Sequence, residues 1–272
     1  MPKPERHKGG RKALRMIISP AKKMIADTDT LPWRDLPDLL PKTQQLLQRM
    51  RSMSYEELKR LWACNDRIAQ LNVRRLEEMD LLRGLTPAIL AYEGIQYQYM
   101  APGVFTQGEY DYVQEHLRIL SGFYGVLRPL DGVVPYRLEM QAKLSVGDDR
   151  DLYDFWRDEL AKSILAQTDC VVNLASKEYS AAVQPHLPKE VRFITCTFCE
   201  RAGGRLAEKG TMCKMARGEM VRYMAENRVT DPEEVKAFQR LGYRYVPEAS
   251  DAATYTFLQL EPPAGCAGEE EP

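Results

Sequence analysis

The chain has 272 residues (31.2 kDa), with 38 Lys and Arg against 39 Asp and Glu, a formal charge of −1 and a pI near 6.4. That balance excludes a protein coated in positive charge for nucleic acid, so any polyanion site must be a local patch. No apolar run approaches the ~20 residues needed to span a bilayer, which excludes a membrane protein, and 17 Gly and 17 Pro without a period exclude a low-complexity or collagen-like chain.

Residues 1–15 carry a net charge of +5 and residues 261–272 a net charge of −4. Both ends are rich in Pro, Gly and charge, so residues 1–13 read as a disordered basic extension and 261–272 as a disordered acidic tail. The basic head lacks the apolar stretch of a secretory signal, so a cytoplasmic protein with free thiols is expected. Leu14–Ser19 is a short apolar run, read as a buried strand that breaks at Pro20. A proline-rich loop extends to Pro41. From Thr43 to about Leu82 the apolar spacing is helical, with Ser54 and Glu57 forming a capping box. Shorter helices are predicted over Pro87–Gly94 and Tyr110–Leu120, and another over Leu152–Leu165. Cys170–Leu174 reads as a buried strand closed by Ser176 as a helix cap. Val191–Phe198 and Arg205–Thr211 pair as a hairpin across Ala202-Gly203-Gly204. Helices follow over Met212–Asn227 and from Asp231 to near Gly242, and Thr254–Leu260 is the last strand. These elements give an α+β chain, a single, mostly helical domain around a mixed β-sheet, over residues 14–260.

Four constellations can carry chemistry. In LSGFYGVLRPLD (120–131), Gly122 and Gly125 allow a tight turn between two helical pieces, whose bare amides suit a phosphate oxygen. This is the physics of a helix-hairpin-helix, with Arg118, Arg128 and Arg137 around it; a purely structural turn is the alternative. On the predicted helix at 212–227, Ala216, Met220, Tyr223 and Met224 form a core stripe. Lys214, Arg217, Arg222 and Arg228 occupy the opposite arc, as a solvated basic face or a polyanion site. Two apolar strands end in compact polar motifs, Ser19-Pro20-Ala21-Lys22-Lys23 and Asn173-Leu174-Ala175-Ser176-Lys177-Glu178. Crevices open beyond such strand ends, so Ser19, Lys22, Asn173, Ser176 and Glu178 can line one pocket, with Ser–Lys as a nucleophile pair and Glu178 as a base. Ser19 and Ser176 are equally explained as turn and cap residues. Finally, Tyr92, Tyr97, Tyr99, Tyr110 and Tyr112 crowd one stretch, where packing is the simpler reading than base stacking.

Cys196, Cys199 and Cys213 do not complete a zinc site, because residues three apart on a strand face opposite ways and His7, His116 and His186 are scattered. No metal and no cofactor is expected, and the same scarcity of ligands argues against iron sequestration.

The motifs MIISPAKKM (16–24), LSGFYGVLRPLD (120–131), PYRLEM (135–140), NLASKEY (173–179) and KMARGEMVRY (214–223) together resemble the YaaA family of bacterial peroxide-stress-resistance proteins, over about residues 14–260. The resemblance implies a family-specific fold containing a helix-hairpin-helix and a positively charged cleft. It implies sequence-tolerant binding of duplex, bubbled or junction DNA, an association with DNA repair, and limitation of iron and peroxide damage in the cytosol. No catalytic residue comes with it. Members begin at the ISPAK strand, so residues 1–13 are extra and Leu14 is expected to be the initiation site on a non-AUG codon. The phosphate contacts expected are Arg118, Arg128, Arg137, Lys214, Arg217 and Arg222, with Lys22 and Lys177 on the cleft wall. The rival is an enzyme on nucleic acid or a nucleotide, glycosylase- or nuclease-like, with Glu178 or Asp131 as acid or base.

Overall fold

β1 (Arg15–Ile18) is buried along its whole length, which is why it reads as an unbroken apolar run: it lies inside a sheet covered on both faces. The computed structural model describes residues 13–166 and 168–260; the tails expected at the two ends lie outside them, apart from Ala13. After β2 (Lys23–Met24), the helical stretch expected over 43–82 is three helices, α1 (Leu40–Arg51), α2 (Tyr55–Leu61) and α3 (Asp66–Glu78). Each restart is capped. Ser54 Oγ accepts from the Glu57 amide while Glu57 accepts from the Ser54 amide at 2.8 Å, and Asn65 accepts from the Ile68 amide at 3.0 Å after Ala63 turns left-handed.

The stretch expected as one helix at 87–94 splits into β3 (Thr86–Pro87), α4 (Ala88–Ala91) and β4 (Tyr92–Glu93), followed by α5 (Ile95–Met100). α6 (Gln107–His116) ends earlier than expected and passes directly into β5 (Leu117–Ser121), which turns back as β6 (Gly125–Leu127); β7 (Gly132–Val133) pairs with β3. The helix expected over 152–165 is broken at Arg157, whose φ of 48° ends α7 (Leu152–Trp156) before α8 (Glu159–Leu165). β8 (Cys170–Leu174), a short α9 (Lys177–Ser180), β9 (Arg192–Ala202) and β10 (Arg205–Ala207) follow the predicted order. α10 (Gly210–Glu226), a 3₁₀ turn at Pro232–Ala237, β11 (Tyr243–Tyr245) and β12 (Thr254–Gln259) complete the described chain.

The mixed sheet has the order β11-β12-β9-β8-β1-β5-β6, with β10 paired to β9. Its five inner strands are parallel, and β6 and β11 close the edges antiparallel. From β1 the chain goes first to β5 on one side and then to β8 on the other. The strand order therefore reverses at β1/β8, the place where open parallel sheets bind ligands beyond their carboxyl ends. Among the described residues no helix is long and apolar enough to cross a membrane.

The helix-hairpin-helix is corrected by this sheet. Residues 117–127 form a β-hairpin, with Ile119 opposite Leu127 and Ser121 opposite Gly125. The whole turn is buried, Phe123 and Tyr124 completely so, and the amides of Phe123 and Tyr124 donate to Ser121 Oγ at 3.1 and 2.8 Å. Those amides are satisfied and out of reach of a phosphate. The glycines serve packing instead. Gly125 takes a φ of +77°, and a Cβ on Gly122 would lie 2.6 Å from the Leu138 carbonyl oxygen. An apolar run with a two-glycine turn fits either hairpin; tertiary burial beside β1 decided for strands.

Candidate functional site

Because Ile18 and Leu174 are in register, the residues that follow β1 and β8 leave the sheet side by side. Ser19 Oγ accepts from the Ser176 amide at 2.9 Å and donates to Ser176 Oγ at 3.2 Å, joining the two strand ends. Ser176 precedes α9 without capping it through its side chain. Beside this junction opens a cavity of about 420 Å³. Its floor is Ser19, Ser176, Tyr97 and Tyr136; Tyr97 OH donates to the Ser19 carbonyl at 3.0 Å, and Tyr136 OH is engaged by Ser121 and Tyr92 at 2.6 and 2.8 Å.

Charge enters from three directions. Lys22 comes from the loop after β1 and Lys23 from the start of β2, Arg137 and Glu139 from the segment that Gly122 lets approach the hairpin, and Lys214 and Arg217 from α10. Lys22 pairs with Glu139 at 2.8 Å and Arg137 meets the same carboxylate at 3.6 Å, so two cations share one anion. Lys23 is neutralised by Glu93 at 2.8 Å, and Arg217 meets Glu208 at 3.6 Å. Lys214 is exposed and has no ion-pair partner among the described residues. Glu178 accepts from the Gln141 amide at 3.2 Å; burial, reinforced by nearby Glu139, holds its carboxyl above the usual range. Gln96 Nε2, Arg137 Nε and Arg217 Nε are buried without a hydrogen-bond partner among the described residues, a deficit of about 1–3 kcal/mol for each such donor.

The cavity thus gathers Ser19, Lys22, Arg137, Ser176, Glu178, Lys214 and Arg217 from the sequence candidates. Lys177 stands exposed at the start of α9, between Ser176 and Glu178. Asn173 does not line the cavity: its carbonyl accepts from the Ala175 amide and its amide donates to Thr195, which fixes the turn after β8. Arg118 is held on the carbonyls of Gln114, Glu115 and Leu117, and burial pushes its guanidinium down to about 10. Arg222 pairs with Glu226 at 2.8 Å at the far end of α10.

Arg128 lies among three aspartates, at 3.7 Å from Asp35, 3.3 Å from Asp38 and 3.2 Å from Asp131. Asp131 does not line the cavity. Burial pushes its carboxyl up from 3.8 to about 7. The folded state thus keeps a proton that the unfolded chain releases, so this group's contribution to stability is full below pH 3.8 and disappears as the pH rises toward 7. Asp131→Asn is expected to flatten the fall in Tm between pH 4 and 7; an identical slope in the variant would remove Asp131 as its cause.

Sequence reasoning missed Gln96, Tyr136 and Glu139; it read Tyr97 as packing and named Lys23 in the motif after the first strand without giving it a place in the pocket. Their signal was present but diffuse: Gln96 and Tyr97 lie in the tyrosine-rich stretch, Tyr136 and Glu139 in PYRLEM. The five described cysteines are free, and burial raises the thiols of Cys170 and Cys213 to about 11 and that of Cys196 to about 12, so little reactive thiolate is present at neutral pH. No group of three or more potential metal ligands occurs among the described residues.

The family model described as peroxide stress protein YaaA matches residues 14–249. The chain is 54% identical to a UPF0246 protein of Agathobacter rectalis over 244 residues, covering 90% of this chain and 98% of the relative. It is 51% identical to a UPF0246 protein of Lachnoclostridium phytofermentans (91% and 97% covered) and 50% identical to one of Desulfitobacterium hafniense (90% and 98% covered). With the predicted motifs MIISPAKKM, NLASKEY and KMARGEMVRY meeting at one cavity, and the match spanning every strand of the sheet except β12, this chain belongs to the peroxide stress protein YaaA family.

Proposed function

We propose that this protein binds DNA through its phosphate backbone at the β1/β8 cleft, and so protects DNA in the cytosol during peroxide stress. The reading is supported by one observation: cations from three separate chain segments, Lys22, Arg137 and the α10 pair Lys214 and Arg217, line the same opening in a chain of net charge −1. Exposed Lys177 adjoins it. No helix among these elements presents a row of base-reading side chains, so binding is sequence-tolerant. Arg118, Arg128 and Arg222, held by their own carbonyls or carboxylates, are left out of the interface.

The test is a gel-shift titration of duplex DNA at several salt concentrations. With about three to four phosphates neutralised, log K should fall by about 3 per decade of salt. Absence of binding at low salt would end this reading.

A second reading, an enzyme on nucleic acid or a nucleotide, is favoured by Glu178, a carboxyl that burial holds above its usual range and that lines the cavity. Glu178→Gln separates the two: a binding module keeps its affinity, whereas an enzyme keeps affinity and loses turnover.

A further inference from the structure

We infer that the cavity at the β1/β8 switch point is a single-nucleotide site, which takes one nucleobase and places its phosphate on Lys214 and Arg217. The inference rests on the phosphate-backbone reading for the strand as a source of that nucleotide, and adds what enters the cavity.

Three independent observations lead there. The first is place: the cavity opens where the order of the parallel strands reverses, beyond the carboxyl ends of β1 and β8, a position at which open sheets hold nucleotides. The second is size. At about 420 Å³ the cavity belongs to small-molecule sites. A duplex can touch only its rim, whereas one nucleotide turned out of the stack, or a free nucleotide, fits within.

The third is chemistry. The walls include the rings of Tyr97 and Tyr136, whose hydroxyls are committed to Ser19 on one side and to Ser121 and Tyr92 on the other. Both rings are largely buried and Tyr136 already stacks on Phe123, so they offer a ligand a small apolar patch, which the flat face of a base can cover. Gln96 is 7% exposed and its Nε2 has no partner; Arg137 and Arg217 each carry a partnerless buried Nε. All three are donors that stay unpaired although Glu93, Glu139 and Glu178 also line the cavity. A nucleotide supplies acceptors of both kinds needed here, ring nitrogens and carbonyls on the base and oxygens on the phosphate. A small turn of the Gln96 amide or the arginine heads brings these covered donors to bear.

The experiment uses the full chain in two arms. In the first, dAMP, dGMP, dCMP and TMP are titrated by calorimetry. In the second, a labelled duplex is compared with the same duplex carrying one unpaired nucleotide, and with that unpaired position made abasic. Binding of at least one mononucleotide below 1 mM is expected, as is an affinity for the unpaired nucleotide at least tenfold above the perfect duplex, lost when the base is removed. Gln96→Met keeps the side-chain length and removes the donor; Lys214→Ala changes an exposed residue that cannot unfold the protein. Each is expected to weaken mononucleotide binding at least tenfold.

Duplex binding with no mononucleotide binding and equal affinity for the unpaired and abasic sites overturns the single-nucleotide site and leaves the backbone reading standing. Mononucleotide binding without any DNA binding overturns the backbone reading and makes the cavity a site for a free nucleotide. Nucleotide affinity unchanged in both variants overturns the assignment to this cavity.

Discussion

Replacing Gly218 by alanine is expected to lower Tm by about 5 °C or more and to weaken DNA binding at the same time. α10 crosses α5 so closely that a Cβ at Gly218 would lie 2.2 Å from the Gln96 carbonyl oxygen and 2.9 Å from the Met100 nitrogen. Both are backbone atoms of a helix, which cannot rotate aside as a side chain would. Overpacking of this kind costs about 3 kcal/mol or more, while the gain in helix propensity from Gly to Ala returns at most about 1 kcal/mol. A net loss of about 2 kcal/mol corresponds to the stated shift in a domain of this size. The functional loss has the same origin. Lys214 and Arg217 stand on α10, one turn and one residue before Gly218, and Gln96 stands on α5, so separating the helices widens the cavity at its charged wall. Thermal unfolding and a gel shift on the same preparation check both effects. A variant as stable as the wild type would show that the two helices are not in backbone contact.

The second large effect is expected from reversing charge on α10. Lys214→Glu with Arg217→Glu should reduce the salt slope of duplex binding by about 2 and lower affinity at 100 mM salt by roughly a hundredfold or more, because each lost phosphate contact removes about 0.9 from the slope. The two positions are unequal. Lys214 is free of any described ion pair and contributes its full charge, whereas Arg217 must turn from Glu208 at 3.6 Å to reach a phosphate. Lys214→Glu alone should therefore cost more than Arg217→Glu alone. The opposite order, or an unchanged slope in the double variant, would move the phosphate track away from α10. Arg222→Glu is the matched comparison: it lies on the same helix but is paired with Glu226, and its effect on the slope should be small.

Most of the sheet was legible in the sequence, and the reason is composition. β1, β8, β9 and β12 are unbroken or β-branched apolar runs, and such runs have few alternatives once they are too short for a helix. The site was half legible. Ser19 and Ser176 were linked because polar motifs directly after buried strands must emerge at a strand end, and register then brought them within a hydrogen bond. The hairpin was misread for a physical reason. Whether Gly122 and Gly125 turn a helix or a strand depends on Ile119 and Leu127 finding β1 and each other, contacts that no local pattern records. The arginines were misjudged in the same way. Arg118 and Arg128 look as basic in sequence as Lys214, but one faces its own helix end and the other three aspartates, two of them ninety or more positions away.

The place of β1 in the sheet also governs how the chain is made. β1 is the seam between the two halves of the sheet, yet it precedes both of its partner strands in the chain, and Ser19 waits for a partner 157 positions downstream. At a translation rate of roughly 5–20 residues per second, on the order of ten seconds or more pass before β8 leaves the ribosome. During that interval β5 can cover one edge of β1, while the edge that β8 will take stays open. Pairings this distant are slow to nucleate because loop closure is paid before any contact rewards it. The nascent chain therefore carries an open apolar edge at the middle of its future sheet until β8 arrives to close it.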